Sequence, residues 1–396
     1  MDEIVLNMKK EAQTVLETNI LSYWMRRMTN PRGGFYGRID GHDNLVPGAE
    51  KGAVMNARIL WTFSAAYRLL KKDEYLEMAT RAKRELIDRF YDKEFGGVYW
   101  SIDAQGNPLD TKKQIYALGF AIYGLSEYYR ATGDKEALEY AIRLFHDIED
   151  HSFDGVKNGY CEALSREWNE MADMRLSDKD ANERKTMNTH LHVLEPYTNL
   201  FRIWKNGELQ EKLRNLIYLF IHHIMDGETG HLQLFFDDDW QSKYSIISYG
   251  HDIEASWLLY EAADVLGDEA VLDEVKPVAA HIAEASVEGF LPEGGMMYEL
   301  HADSGAVDAD RHWWVQAEAI VGFINMWQLS GNPQYLERAN HCWDFVKRHL
   351  IDFEHGEWFW SLRADGTQNK DDDKAGFWKC PYHNGRMCME ILERSF

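Results

Sequence analysis

Gly96-Gly97-Val98-Tyr99-Trp100, a glycine pair running into an apolar and aromatic cluster, is one of six related stretches in the chain. The others are Gly33-Gly34-Phe35-Tyr36, Asn158-Gly159-Tyr160, Gly230-His231-Leu232, Gly294-Gly295-Met296-Met297-Tyr298 and Gly356-Glu357-Trp358-Phe359-Trp360. From Gly34 through Gly97, Gly159, Gly230 and Gly295 to Gly356 the intervals are 63, 62, 71, 65 and 61 residues. A period this steady marks a repeat architecture. Between markers the apolar residues recur three and four apart, as in Ala53 to Leu70 and then Asp73 to Phe90, which reads as two helices per repeat. The markers read as short β-like turns, with glycine supplying unusual backbone angles and the rings covering the hairpin ends; Asp92 ahead of Gly96-Gly97 supports the turn.

A single helical hairpin cannot bury both its faces, so six of them must stack. The expectation is an all-α (α/α)6 barrel, one domain spanning residues 1–396. An open solenoid is the alternative, and the even period over only six units favours closure. The longest interval contains Ser165 to Lys185, a polar stretch expected to form a long loop over one mouth of the barrel.

Composition narrows the function. With 66 acidic against 43 basic side chains the net charge is -23, which repels nucleic acid and anionic lipid. No apolar run reaches membrane-spanning length, and the start, Met1-Asp2-Glu3-Ile4-Val5, lacks a basic region followed by an apolar run, so a cytoplasmic protein without a membrane role is expected. Cys161, Cys342, Cys380 and Cys388 lie far apart and read as reduced thiols.

Several segments place polar groups inside otherwise apolar helices. Arg58, in Asn56-Ala57-Arg58-Ile59-Leu60-Trp61, must meet a carboxylate or a ligand oxygen if it is buried. Tyr116 sits in Gln114-Ile115-Tyr116-Ala117-Leu118, where a core aromatic is the plainer reading. In Asn188-Thr189-His190-Leu191-His192, the four-residue spacing puts Asn188 and His192 on one helical face, whereas the HxH pair diverges. In Gly250-His251-Asp252-Ile253-Glu254, Glu254 lies three residues beyond His251, either as the carboxylate that raises its basicity or as a capping charge. Trp314 and Glu318 belong to Arg311-His312-Trp313-Trp314-Val315-Gln316-Ala317-Glu318, and Trp378 and His383 stand at the entrance to the last helix. Tryptophans at a cavity mouth suit the apolar faces of sugar rings, and they are also common as core residues.

His192, His251 and His383 match no metal motif, and neither a GxSxG elbow nor a phosphate-binding loop is present. General acid/base chemistry fits better, because imidazole both takes and gives protons near neutrality. Two imidazoles on opposite faces of one carbon would epimerise it through an enediolate, with Arg58 holding the developing oxyanion.

These segments, taken together and in order along the whole chain, resemble the N-acylglucosamine 2-epimerase superfamily and, within it, the cellobiose 2-epimerase branch. The resemblance implies action at C2 of the reducing-end glucose of a β-1,4-linked disaccharide, cellobiose to glucosyl-mannose and lactose to epilactose, with no metal or other cofactor. It implies His251 and His383 as the proton-transfer pair and His192 as an aid to ring opening. Arg58, Tyr116 and Asn188 would hold the enediolate oxygens, Glu254 would support His251, and Trp314 and Trp378 would stack on sugar, with Glu318 completing the substrate-binding set. A monomer is expected, with a homodimer as the alternative. The rival functions are aldose-ketose isomerisation or N-acylglucosamine epimerisation on the same fold, glycoside hydrolysis, and sugar binding without catalysis.

Overall fold

The computed structural model describes residues 2–395. Among them are twelve α-helices: α1 (Asp2–Val15), α2 (Ala53–Leu70), α3 (Asp73–Glu85), α4 (Ile115–Thr132), α5 (Lys135–His151), α6 (Met187–Ile203), α7 (Gly207–Leu219), α8 (Tyr249–Leu266), α9 (Glu269–Ser286), α10 (Trp313–Ser330), α11 (Pro333–His349) and α12 (His383–Glu393). The even-numbered helices are apolar on nearly every face and buried almost throughout, while the odd-numbered ones carry one apolar stripe. Local sequence sets the turn between partners. Gly133, Gly267 and Gly331 end α4, α8 and α10 in the left-handed conformation, and the next residues, Asp134, Asp268 and Asn332, cap α5, α9 and α11 through their side chains.

Each buried helix touches the next in sequence, α2 to α4, α4 to α6, α6 to α8, α8 to α10 and α10 to α12, and α12 returns to α2. The odd helices back them: α3 lies on α2, α5 on α4, α7 on α6, α9 on α8 and α11 on α10. The sixth pair joins the two ends of the chain, since α12 is covered by α1.

All six marker glycines have positive φ, from 59° at Gly34 to 93° at Gly159 and Gly356. Each turn is closed by an antiparallel bridge across it, Tyr91 to Val98 in the second repeat and Ile351 to Trp358 in the last. A few residues past each marker, the chain pairs with the segment that leads into a neighbouring inner helix. Lys51–Gly52 pairs with Ser101–Ile102, Lys113–Gln114 with Ala163–Leu164, and Lys185–Thr186 with Phe235–Phe236. Ile246–Ser248 pairs with Glu299–His301, and Arg311–His312 with Ser361–Leu362. The sixth staple, Ile39 to Ala375, links the first repeat to the last. These staples gather at the N-terminal ends of the inner helices. Residues 165–184 carry no helix or strand, in agreement with the loop expected there.

At the opposite ends an ionic belt links neighbours. Arg68, sixteenth residue of α2, donates to Glu127 of α4 at 2.6 Å; Arg130, sixteenth of α4, to Asn199 of α6 at 3.0 Å; and Arg202, sixteenth of α6, pairs with Glu261 of α8. All four cysteines are free and buried.

Candidate active site

The sixth residues of five inner helices are Arg58, Phe120, His192, Glu254 and Glu318, so the repeat presents equivalent positions from α2, α4, α6, α8 and α10. The sixth inner helix, α12, contributes His383 at its first residue and Arg386 at its fourth. Ring contacts connect the three histidines. His192 lies 5.0 Å from Phe120, Phe120 lies 5.3 Å from Tyr382, and Tyr382 lies 4.8 Å from His383. Trp314 contacts both His251, at 4.8 Å, and His383, at 5.6 Å.

Each imidazole is anchored through Nδ1. His192 meets Glu195 at 2.9 Å, His383 meets Glu318 at 2.7 Å and His251 meets the Ser248 hydroxyl at 2.8 Å. Burial would raise the Glu195 carboxyl, but Arg386 and the hydrogen bonds from His192 and Tyr382 outweigh it and hold the group at about 2. Glu195 is therefore an ionised acceptor, His192 carries its proton on Nδ1, and Nε2 is left with the lone pair. Burial pushes His251 down to about 3, with His192 adding to the shift. His383 is pushed well down by burial and by the nearby Arg58 and Arg386. Neutral imidazoles of this kind are ready to accept a proton.

Arg58 is buried, with 3% of its surface exposed, yet it has no carboxylate partner among the described residues. One Nη donates to the Tyr116 hydroxyl at 2.8 Å, and the guanidinium lies over the rings of Phe120 and Tyr382 at 4.2 and 4.7 Å. Its Nε has no hydrogen-bond partner. Asn188, one helical turn before His192, likewise has an unpaired Oδ1. An aromatic cage with unused donors and acceptors suits an oxygen-rich ligand that acquires negative charge. His251, Trp314, Asn188 and Trp378 are partly exposed, whereas Arg58, His192, Glu254, Glu318 and His383 are buried, so the site opens toward the N-terminal ends of the inner helices. Trp378 lies 6.2 Å from Tyr116 and 5.7 Å from Trp100 at that entrance.

Two expectations change. Glu254 does not support His251, whose Nδ1 is taken by Ser248 in the staple just before α8; Glu254 instead accepts from Arg386 at 2.7 Å and lies 4.0 Å from Nδ1 of His383. Glu318 is committed to His383, Arg386 and the Trp257 indole N–H, which makes it a support for the site more than a contact for sugar. His190 points away from the site: its Nδ1 meets the Thr186 carbonyl at 2.7 Å and its Nε2 accepts from the Tyr160 N–H at 2.9 Å, securing a marker turn. Glu254, Glu318 and His383 are spaced to hold a metal ion, but the Arg386 guanidinium already stands against both carboxylates at 2.7 Å.

The N-acylglucosamine 2-epimerase (GlcNAc 2-epimerase) family matches residues 34–385. The chain belongs to this family. It is 67% identical to a cellobiose 2-epimerase of Bacteroides fragilis, over 99% of this chain and 100% of that one. It is 41% identical to a cellobiose 2-epimerase of Ruminococcus albus, over 98% and 99% of the two chains. Among solved structures, the cellobiose 2-epimerase from Bacillus thermoamylovorans B4167 superposes with a TM-score of 0.94 at 42% identity, covering 100% of both chains. As a member of the N-acylglucosamine 2-epimerase family the chain is an enzyme of the isomerase class, a carbohydrate 2-epimerase. No helix among the described residues is long and apolar enough to cross a membrane.

Sequence reasoning missed Arg386, Glu195, Tyr382 and Ser248. Arg386 carried the same signal that singled out Arg58, a cation in an apolar helical run, and Glu195 lies three residues after His192 on the same helical face.

Proposed function

We propose that the six hairpins form a single-domain (α/α)6 barrel that inverts C2 of the reducing-end glucose of β-1,4-linked disaccharides, converting cellobiose to glucosyl-mannose and lactose to epilactose. The names and high identity of the relatives support this substrate class. In the proposed cycle Nε2 of His192 takes the anomeric hydroxyl proton and returns it to O5 as the C1–O5 bond breaks, giving the open aldehyde. One imidazole of the His251 and His383 pair then removes the proton from C2. The electron pair forms the C1–C2 double bond of an enediolate, and the charge gathers on O1, where Arg58 and Tyr116 stabilise it. The other imidazole, entering the step in the tautomer with hydrogen on Nε2, delivers that proton to the opposite face of C2 as the aldehyde re-forms, and exchange with solvent returns both imidazoles to their starting protonation. In the reverse direction the two exchange roles.

The observation that carries this reading is that His251 and His383 both pack on Trp314, near a buried cation that no carboxylate pairs among the described residues. Trp314 and Trp378 stack on the sugar rings, and Asn188 binds an enediolate oxygen. The reaction needs no metal or other cofactor, since Arg386 supplies the cation between Glu254 and Glu318. We further propose a cytoplasmic monomer with no nucleic-acid or membrane partner.

The test is incubation with cellobiose and with lactose in deuterated water. The expected product is a manno epimer carrying solvent deuterium at C2, without ketose, at a rate that chelator leaves unchanged. Ketose as the main product would turn the reading to an aldose-ketose isomerase. His251→Ala and His383→Ala are expected to lose on the order of 100- to 10,000-fold in rate while keeping sugar affinity. Near wild-type turnover by either would remove that histidine from the mechanism.

A further inference from the structure

Arg386 is 1% exposed and receives three carboxylates, each from a different inner helix. Its Nη1 donates to Glu195 of α6, and its Nη2 donates to Glu254 of α8 and Glu318 of α10, both at 2.7 Å. Two of these carboxylates are the ones that anchor imidazoles, Glu195 on His192 and Glu318 on His383. Arg386 itself makes no hydrogen bond to either ring among the described residues. We propose that Arg386 is the positioning residue that couples His192, at the ring-opening end of the substrate, to His383 at C2, by sharing one guanidinium between their carboxylate partners. This inference rests on the histidine mechanism proposed above.

Charge ties the three carboxylates together. Three carboxylates against one guanidinium leave two negative charges among side chains that are almost wholly buried, and buried charge without compensation costs several kcal/mol. Two protons restore neutrality. The groups placed to hold them are the carboxylates and the two imidazoles hydrogen-bonded to them. Where those protons rest is set by the whole surround: Arg58 on α2, Tyr116 and Tyr123 on α4, His192 and Glu195 on α6, His251 and Glu254 on α8, Glu318 on α10, and Tyr382, His383 and Glu390 on α12. Burial raises the Glu318 carboxyl, and burial together with Glu318 raises that of Glu254, whereas Glu195 stays ionised.

The Glu318 and His383 pair can thus pass a proton along its hydrogen bond. With Glu318 ionised and the one proton on Nδ1, His383 offers a lone pair at Nε2 and acts as base. Once Nε2 has taken a proton the Nδ1 proton can move to Glu318, and the pair, now holding one proton more, carries hydrogen on Nε2 and acts as acid. Because the same guanidinium also neutralises Glu195, a change of protonation at His192 alters how much of its charge Glu318 and Glu254 receive. That gives the two ends of the reacting sugar a common proton account, which stepwise ring opening and C2 exchange both draw on.

The experiment is an NMR titration of 15N-labelled imidazoles in the free enzyme, wild type against Arg386→Met and Arg386→Lys, with kcat and KM measured on lactose. Loss of the cation is expected to move the titrations of both His192 and His383 upward in pH, although Arg386 bonds to neither. The kcat of Arg386→Met should fall on the order of 100-fold with KM within about threefold. Arg386→Lys should bring both titrations back toward the wild type. Movement of one imidazole alone, or of neither, overturns the proposal. Should Arg386→Met fail to fold, Glu195→Gln serves: removing that charge is expected to move the His383 titration downward, and an unmoved His383 overturns the coupling. A wild type that placed no deuterium at C2 would sink the functional reading while leaving the titrations to decide this one.

Discussion

Arg58 is held by ring faces, one tyrosine hydroxyl and the Cys380 thiol, with no ion pair among the described residues. A desolvated cation without a counter-charge destabilises a fold, so the protein carries Arg58 at a cost that only a charged intermediate offsets. Arg58→Met keeps the length and removes the charge. Its expected outcome is opposed in sign for activity and stability: kcat falls on the order of 100- to 1,000-fold, and the urea midpoint stays equal to that of the wild type or rises. A destabilised variant would mean that the aromatic cage is built around the cation for structural reasons. His190 gives the converse case, a histidine that serves the fold. Both its nitrogens are satisfied only when it is neutral, and burial pushes it down to about 4. A depressed imidazole contributes stability above its unfolded pKa near 6.5 and loses it as pH falls toward the folded value. His190→Gln lacks that titration. The stability margin of wild type over His190→Gln should therefore narrow by about 2 kcal/mol between pH 7 and pH 5, as read by urea denaturation.

Helix α6 shows why an element can matter to a site more than its composition suggests. Pro196 lies inside it and has no N–H, so the carbonyl of His192, four residues back, loses its helical partner. Gly119 of α4 packs against that carbonyl so closely that a Cβ at position 119 would stand 2.2 Å from it. Gly119→Ala must push α4 and α6 apart exactly where His192 is carried. The expected cost is about 1–3 kcal/mol of stability together with a drop in kcat that Ala substitution at Gly133, in a solvent-open turn, does not share. An unchanged kcat would show that the register of α6 is not what places His192. The elements themselves were legible because the inner helices are uniformly apolar and each repeat ends on a glycine turn; α2 runs from Ala53 to Leu70, as the pattern requires. The site was legible only where one helix sufficed. Asn188 and His192 share a face as expected, but the partner of His383 comes from α10 and that of Arg386 from α6, 191 residues away, and no local spacing encodes such pairs. The i,i+3 relation of His251 and Glu254 misled because His251 takes the hydroxyl of Ser248, three residues before it, while Glu254 is claimed by Arg386 from α12, 132 residues away.

At the scale of the molecule, closure depends on the two ends of the chain meeting. The cover of α12 is α1, and the last marker turn is held by residues near the start: the Asn19 amide donates to the Asp352 carbonyl at 2.8 Å, and the Trp24 indole donates to the Glu357 carboxylate at 2.6 Å. Glu357 is fully buried and also accepts from Lys379 at 2.9 Å and from Asn384 at 2.6 Å, so a single carboxylate joins the first repeat to the loop and helix that carry His383. Contacts separated by 333 residues form late, because the loop they close must be ordered before they contribute. Trp24→Phe removes one donor from that carboxylate and leaves a small void, an expected loss of about 2–4 kcal/mol. If closure follows the folding barrier, the loss falls on the unfolding rate, which rises, while the folding rate stays within about twofold of the wild type. Stopped-flow unfolding and refolding in urea measure both limbs. A folding rate that falls with the stability would place the joining of the chain ends within the transition state, and the ring would then have to close before its repeats are fully packed.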